Sequence, residues 1–84
     1  MEYFTYILYS KNIDKYYIGF TSMPVDERVK KHNTNHKGYT GRANDWKCVY
    51  VETFSTKEEA YAREREIKAW KSRKKIEKLI SSVG

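Results

Sequence analysis

The sequence predicts one mixed α/β (α+β) domain whose elements follow the order β-β-α-β-α-α. Three observations predict it. The 84 residues give room for one domain, spanning 1–84. Aromatic and β-branched runs at 3–9, 16–20 and 46–54 read as strands. Segments with capping residues and apolar positions at helical spacing follow the second and third runs.

The first run, YFTYILY, is apolar or aromatic almost throughout, which suits a central strand covered on both faces. The polar stretch 10–15 then turns the chain into YYIGF, so the pair reads as a β-hairpin. Gly19 inside the second strand implies a bulge or a close backbone approach. Ser22 is placed to cap a first helix, with Pro24 in its first turn and Asp26 and Glu27 at its positive end. That helix is expected to run to about Lys31 or His32, with Val25 and Val29 on its apolar side. Residues 33–45 read as a polar loop, and 46–54 (WKCVYVETF) as a third strand. Ser55 or Thr56 caps a second helix, with Glu58 and Glu59 placed to complete a capping box, running to about Trp70. Ser72 caps a last helix with Ile76, Leu79 and Ile80 on one face.

Eight tyrosines and two tryptophans allow a small chain to build its core from few residues, since each aromatic buries a large area. The single cysteine, Cys48, cannot form an internal disulfide and sits in an apolar stretch, where a thiol acts as a small hydrophobe. No apolar run approaches the ~18 residues that span a bilayer, and the N-terminus lacks a signal-peptide layout. The expected compartment is the cytoplasm, with no membrane partner. The net charge of +6 and pI of about 9.4 favour a polyanionic partner, nucleic acid foremost, although a basic surface also serves solubility.

Three clusters of residues carry possible chemistry. The apolar stripe of the second helix reads Ala60, Ile67 and Trp70, and the position that should complete it is Glu64. A carboxylate aimed at a sheet needs a partner. The ordinary outcome is an ion pair with Arg63, Arg65 or Lys68, or escape to the edge of the stripe. The functional one is a metal ligand. Arg28 and His32, four residues apart, share a helix face. Guanidinium and imidazole together suit an anionic group, and a solvated face beside Lys30 and Lys31 fits them too. Tyr6 and Tyr17 lie on adjacent strands, where spacing alone does not separate them from core tyrosines such as Tyr3, Tyr9 and Tyr16.

In order and spacing these segments resemble the GIY-YIG nuclease superfamily, and in particular its small stand-alone branch related to the nuclease domain of the excision-repair protein UvrC. The resemblance covers nearly the whole chain. Thr5-Tyr6-Ile7 stands at the first motif element and Tyr17-Ile18-Gly19 at the second. Arg28 to Asn33 resembles the branch's helix ending, and Gly38-Tyr39-Thr40 a loop element. The segment 60–68 resembles the pattern that holds the family's metal-binding glutamate, and 70–80 the branch's ending. Thr5 replaces the glycine of the first element, and Phe20 stands where the repair enzyme has lysine.

The resemblance implies a three-stranded antiparallel sheet flanked by helices. It implies a metal-dependent endonuclease hydrolysing DNA phosphodiester bonds, with one Mg²⁺ or Mn²⁺ on Glu64. Arg28 is then the contact to the scissile phosphate, Tyr17 the first choice of general base with His32 its rival, and Tyr6 the group that orients water or phosphate. Arg63, Lys68, Lys71, Arg73, Lys74 and Lys75 form a basic region expected to meet the DNA backbone. With no dedicated recognition helix, cleavage is expected to be structure-selective, repair-related or directed by a protein partner. The alternatives are a nucleic-acid-binding module of the same fold that does not cut, and a protein-interaction domain whose tyrosines are all core.

Overall fold

The computed structural model of the chain describes residues 2–34 and 43–82. Its elements are β1 (Tyr3–Ser10), β2 (Lys15–Thr21), α1 (Val25–Thr34), β3 (Lys47–Phe54), α2 (Lys57–Trp70) and α3 (Arg73–Ser81). The sheet order is β2-β1-β3 with both pairings antiparallel. The first apolar run is therefore the central strand, as its unbroken apolar character predicts.

Side-chain alternation along β1 divides the core in two. Tyr6 and Leu8 face one layer with Trp46 and Ala43, and Val25 and Val29 of α1 pack there. Ile7 faces the other with Ile18, Ile67 and Ile76, joined by Trp70, Leu79 and Ile80 from α2 and α3. A β-bulge interrupts the β1–β3 pairing, since Ile7 pairs with Tyr50 and Leu8 with Cys48. Val49 is the extra residue, so Val49 and Tyr50 both reach the α2 side while Cys48 stays on the α1 side. Burial raises the pKa of the Cys48 thiol, which keeps it protonated and inert.

The two later caps form as predicted. Thr56 accepts a hydrogen bond from Glu59 N, the N-cap bond, and its hydroxyl donates to the Glu59 carboxylate, a side-chain contact in place of the expected capping-box bond to the Thr56 backbone N–H. Ser72 accepts from Lys75 N. The start of α1 differs. Pro24 O accepts from Glu27 N and Arg28 N at 3.1 and 3.2 Å, so the helix begins after the proline and Ser22 stands two residues too early to cap it. Thr21 closes the approach instead, its hydroxyl accepting from Met23 N at 3.1 Å. α1 also runs on to Thr34, and β3 starts at Lys47 with Trp46 just outside it. The expected loop element Gly38-Tyr39-Thr40 lies outside the described residues.

Two side-chain ties fix the layers to one another. Thr5 is fully buried and donates to Ala60 O at 2.7 Å, joining β1 to the first turn of α2. A hydroxyl at this position thus has a structural task that glycine could not perform. Asp14, in the left-handed region at φ 55°, accepts from Tyr9 and pairs with Arg73, which also stacks on Tyr16. Arg73 holds the Asp14 carboxyl below its ordinary range, and this network anchors α3 to the hairpin turn.

Candidate active site

The α1 face of the β1–β2 pair carries a cluster of polar rings. Tyr6 lies opposite Gly19 in the register, and Leu8 lies opposite Tyr17. The Tyr6 phenol crosses directly over Gly19: a Cβ built there would stand 2.6 Å from Tyr6 Oη and 2.7 Å from its Cζ. The missing side chain is what lets the phenol lie across the strand. Tyr6 Oη is then 2.9 Å from Nε2 of His32, which α1 presents from above. The Tyr6 and Tyr17 ring centroids are 6.5 Å apart, and Tyr17 and His32 are 5.0 Å apart.

Arg28 sits one helical turn before His32 and on the same face. Its Nε is buried and has no hydrogen-bond partner in the structure. The guanidinium is close enough to act on both neighbours. It lowers the pKa of Tyr6 against the stronger effect of burial, which leaves that phenol raised overall. It adds to burial in lowering the pKa of His32. His32 is therefore neutral near pH 7, and Tyr6 keeps its proton. The Tyr6 hydroxyl and Nε2 of His32 share this hydrogen bond, and the tautomer of the imidazole sets which of the two donates.

α2 contributes the only carboxylate of this cluster among the described residues. Glu64 is 8% exposed, between fully buried Ala60 and Ile67, as the broken stripe predicts. Its negative charge is felt at Tyr6, raising that pKa. One oxygen, Oε1, is 3.3 Å from Nζ of Lys68, one turn along the same helix. Lys68 Nζ also lies 5.9 Å from the centre of the Tyr17 ring. Both readings of Glu64 thus keep support: the side chain does find a lysine, and its charge does reach Tyr6 of the ring cluster.

Phe20 is on the far side, packed on Tyr61 of α2 with ring centroids 5.3 Å apart, so this position adds no cation to the cluster. Of the expected basic contacts, Arg63 is held by Glu52 and Glu66 and lies against Trp70, and Arg73 by Asp14 and Glu77. Lys71, Lys74 and Lys75 are exposed around the α2–α3 turn.

Two supporting residues escaped the sequence reading. Asn33 donates from Nδ2 to Trp46 O at 3.0 Å and accepts from Trp46 N at 2.7 Å, a two-point clamp. Trp46 in turn meets the Tyr17 ring edge-on at 6.4 Å. The signal was present, since Asn33 adjoins His32 and Trp46 opens the third apolar run, but nothing in the sequence joins them across the loop.

Among the described residues no three His, Cys, Asp or Glu side chains meet as a multidentate metal cage. Glu64 alone supplies a buried, hard oxygen donor beside two phenols. That fits a magnesium-type ion, which keeps most of its waters and takes one or two carboxylates together with substrate phosphate.

A model of the GIY-YIG catalytic domain matches residues 2–77. The chain belongs to the GIY-YIG family. Among its relatives is a UPF0213 protein of Halalkalibacterium halodurans, 40% identical over 86 residues that take in all of this chain and 87% of that protein. A UPF0213 protein of Staphylococcus saprophyticus is 37% identical, covering 95% of each. The solution NMR structure of the UPF0213 protein from Bacillus halodurans superposes with a TM-score of 0.59 at 36% identity, over 96% of this chain and 84% of that one. GIY-YIG domains are nuclease domains, so membership supports a nuclease-like function with nucleic acid as the substrate class. The antiparallel three-stranded sheet and the convergence of Tyr6, Tyr17, Arg28, His32 and Glu64 are in keeping with it.

Proposed function

We propose that this protein is a divalent-metal-dependent endonuclease that hydrolyses DNA phosphodiester bonds at the Tyr6–Tyr17–Arg28–His32–Glu64 cluster. The observation that carries the proposal is the buried Arg28 Nε without a partner, set beside a neutral histidine, two phenols and a buried carboxylate. A buried polar donor left unsatisfied is costly, and an arriving phosphate oxygen satisfies it.

Glu64 would hold one Mg²⁺ or Mn²⁺, whose chemistry there is to neutralise phosphate charge and stabilise the leaving oxygen. Arg28 binds a non-bridging phosphate oxygen and stabilises the charge that grows in the transition state. Tyr17 is exposed enough to meet the attacking water and takes its proton. Lys68, over the Tyr17 ring, and Arg28, beside Tyr6, are the cations at hand. Tyr6 is the weaker candidate for a base, because burial keeps it protonated. It orients, and His32 holds it through the 2.9 Å hydrogen bond. His32 is also the alternative base, being neutral at working pH. Lys71, Lys74 and Lys75 contact the DNA backbone without reading sequence. Selectivity then comes from DNA structure, in a repair-related setting or through a protein partner.

The test is nicking of a plasmid in Mg²⁺ or Mn²⁺ by the wild type and by Glu64→Gln. The expected result is cleavage by the first and none by the second, with equal folded far-ultraviolet CD spectra. Equal nicking by both would remove Glu64 from the chemistry, and retained DNA binding without cleavage by the wild type would leave only a binding module.

A further inference from the structure

Lys68 is out of place for an ordinary helix-surface pair. Pairs of this spacing usually link two solvated side chains, and their strength is slight. Here the carboxylate side chain is 11% exposed and the lysine 49%, so the lysine reaches in from solvent to a buried partner. Its ammonium stands over the Tyr17 ring as well, at the solvent edge of the cluster. A metal ion and this ammonium need the same carboxylate, and two cations do not share one buried anion without repulsion.

We infer that Lys68 is a displaceable cation that occupies Glu64 before the metal binds and is transferred to the substrate phosphate when it does. This rests on the proposed metal role of Glu64 and adds the order of events at that site. With no metal, Lys68 neutralises Glu64 and is unavailable to DNA. An incoming divalent ion releases it beside Tyr17, where the remaining unmatched negative charge is the phosphate itself. The flexible stem of lysine allows the move, and its three donors suit a phosphate oxygen. Lys68 thus becomes a phosphate contact only when the metal is bound.

The test uses the whole chain and three variants, Lys68→Met, Lys68→Arg and Glu64→Gln, and reads binding, not turnover. Mn²⁺ affinity is measured by electron paramagnetic resonance without DNA. Affinity for a short duplex is measured at fixed salt with EDTA and with Ca²⁺, the duplex being checked as uncut afterwards. The expected results are several-fold tighter Mn²⁺ binding by Lys68→Met, and a loss of duplex affinity in that variant several-fold greater in Ca²⁺ than in EDTA. Lys68→Arg is expected to restore part of the affinity in Ca²⁺. An equal loss of duplex affinity in both conditions would make Lys68 a plain phosphate contact and overturn the inference. Unchanged Mn²⁺ affinity would equally overturn it, by showing no competition for Glu64. Glu64→Gln separates the two levels of the argument. If it loses Mn²⁺ while Lys68→Met binds Mn²⁺ as the wild type does, only the displacement fails. If it binds Mn²⁺ as the wild type does, the metal role of Glu64 falls with it.

Discussion

Replacing Gly19 with alanine tests how the motif glycine builds the site. The added Cβ would stand 2.6 Å from Tyr6 Oη, 2.7 Å from Tyr6 Cζ and 3.1 Å from Tyr17 Cε1. Comfortable carbon contacts begin near ~3.5 Å, so the Tyr6 phenol must retreat by roughly 1 Å. Tyr6 is 1% exposed, so it has no free space to retreat into. Two effects oppose each other. Alanine stiffens the unfolded chain and favours folding by ~0.4–1 kcal/mol where the backbone accepts it. Overpacking a closed core costs ~1–3 kcal/mol, which wins. The expected net loss is ~1–2 kcal/mol, lowering Tm by about 4–16 °C for a domain of this size. The site suffers more than the fold, because a displacement of about 1 Å at a reacting group can cost ~100-fold in rate. Urea unfolding reads the first effect and plasmid nicking under single-turnover conditions the second. The histidine ring nitrogens, followed by NMR, report whether the Tyr6–His32 bond survives. A variant as stable as the wild type, with an unchanged His32 titration, would refute the claim that the phenol needs the bare backbone of Gly19.

Arg28→Lys is expected to cut slower by ~10²–10³-fold, since a point charge does not replace a planar fork aimed at a phosphate; a rate within threefold of wild type in the nicking assay would contradict that. His32 has its pKa lowered by burial and by Arg28, so the unfolded chain binds its proton first. The sign is that His32's contribution to stability is whole above about pH 6.5 and declines as pH falls below it. Denaturant midpoints from pH 8 to 5 should show this decline shrink in His32→Gln, and an identical pH profile in the two proteins would remove the histidine as its source. Lys71 caps α2 in the left-handed region at φ 46°, which a side chain resists. Lys71→Gly should therefore raise stability by about 1 kcal/mol in urea melts while weakening DNA binding in low salt; a destabilised variant would mean that the lysine side chain itself holds the turn. Thr56→Ala should cost ~0.5–2 kcal/mol through loss of the α2 cap, with no effect on Mn²⁺ affinity, and a neutral melt would count against the Thr56 cap.

Much of the fold was legible because its signals are local. Capping by Thr56 and Ser72 needs only a residue and its neighbours three positions on, and both caps form. The run 3–9 announced a strand covered on both sides, and β1 is that strand. Ser22 was misplaced because two competing hydroxyls, Thr21 and Ser22, precede the proline, and their order is settled by where β2 stops. The bulge at Val49 could not be read either, because a two-against-one pairing is a property of two strands and not of one.

The site divides along the same line. The sequence determined that Glu64 breaks an apolar stripe and that Arg28 and His32 share a face, since helix periodicity fixes both. The motif order already pointed to Tyr6 and Tyr17, but only the tertiary structure set both rings beside His32 and laid Lys68 on the carboxylate. The physical reason is range. Periodicity says which way a side chain points, but what it meets there depends on strand register and on how a helix is laid across the sheet.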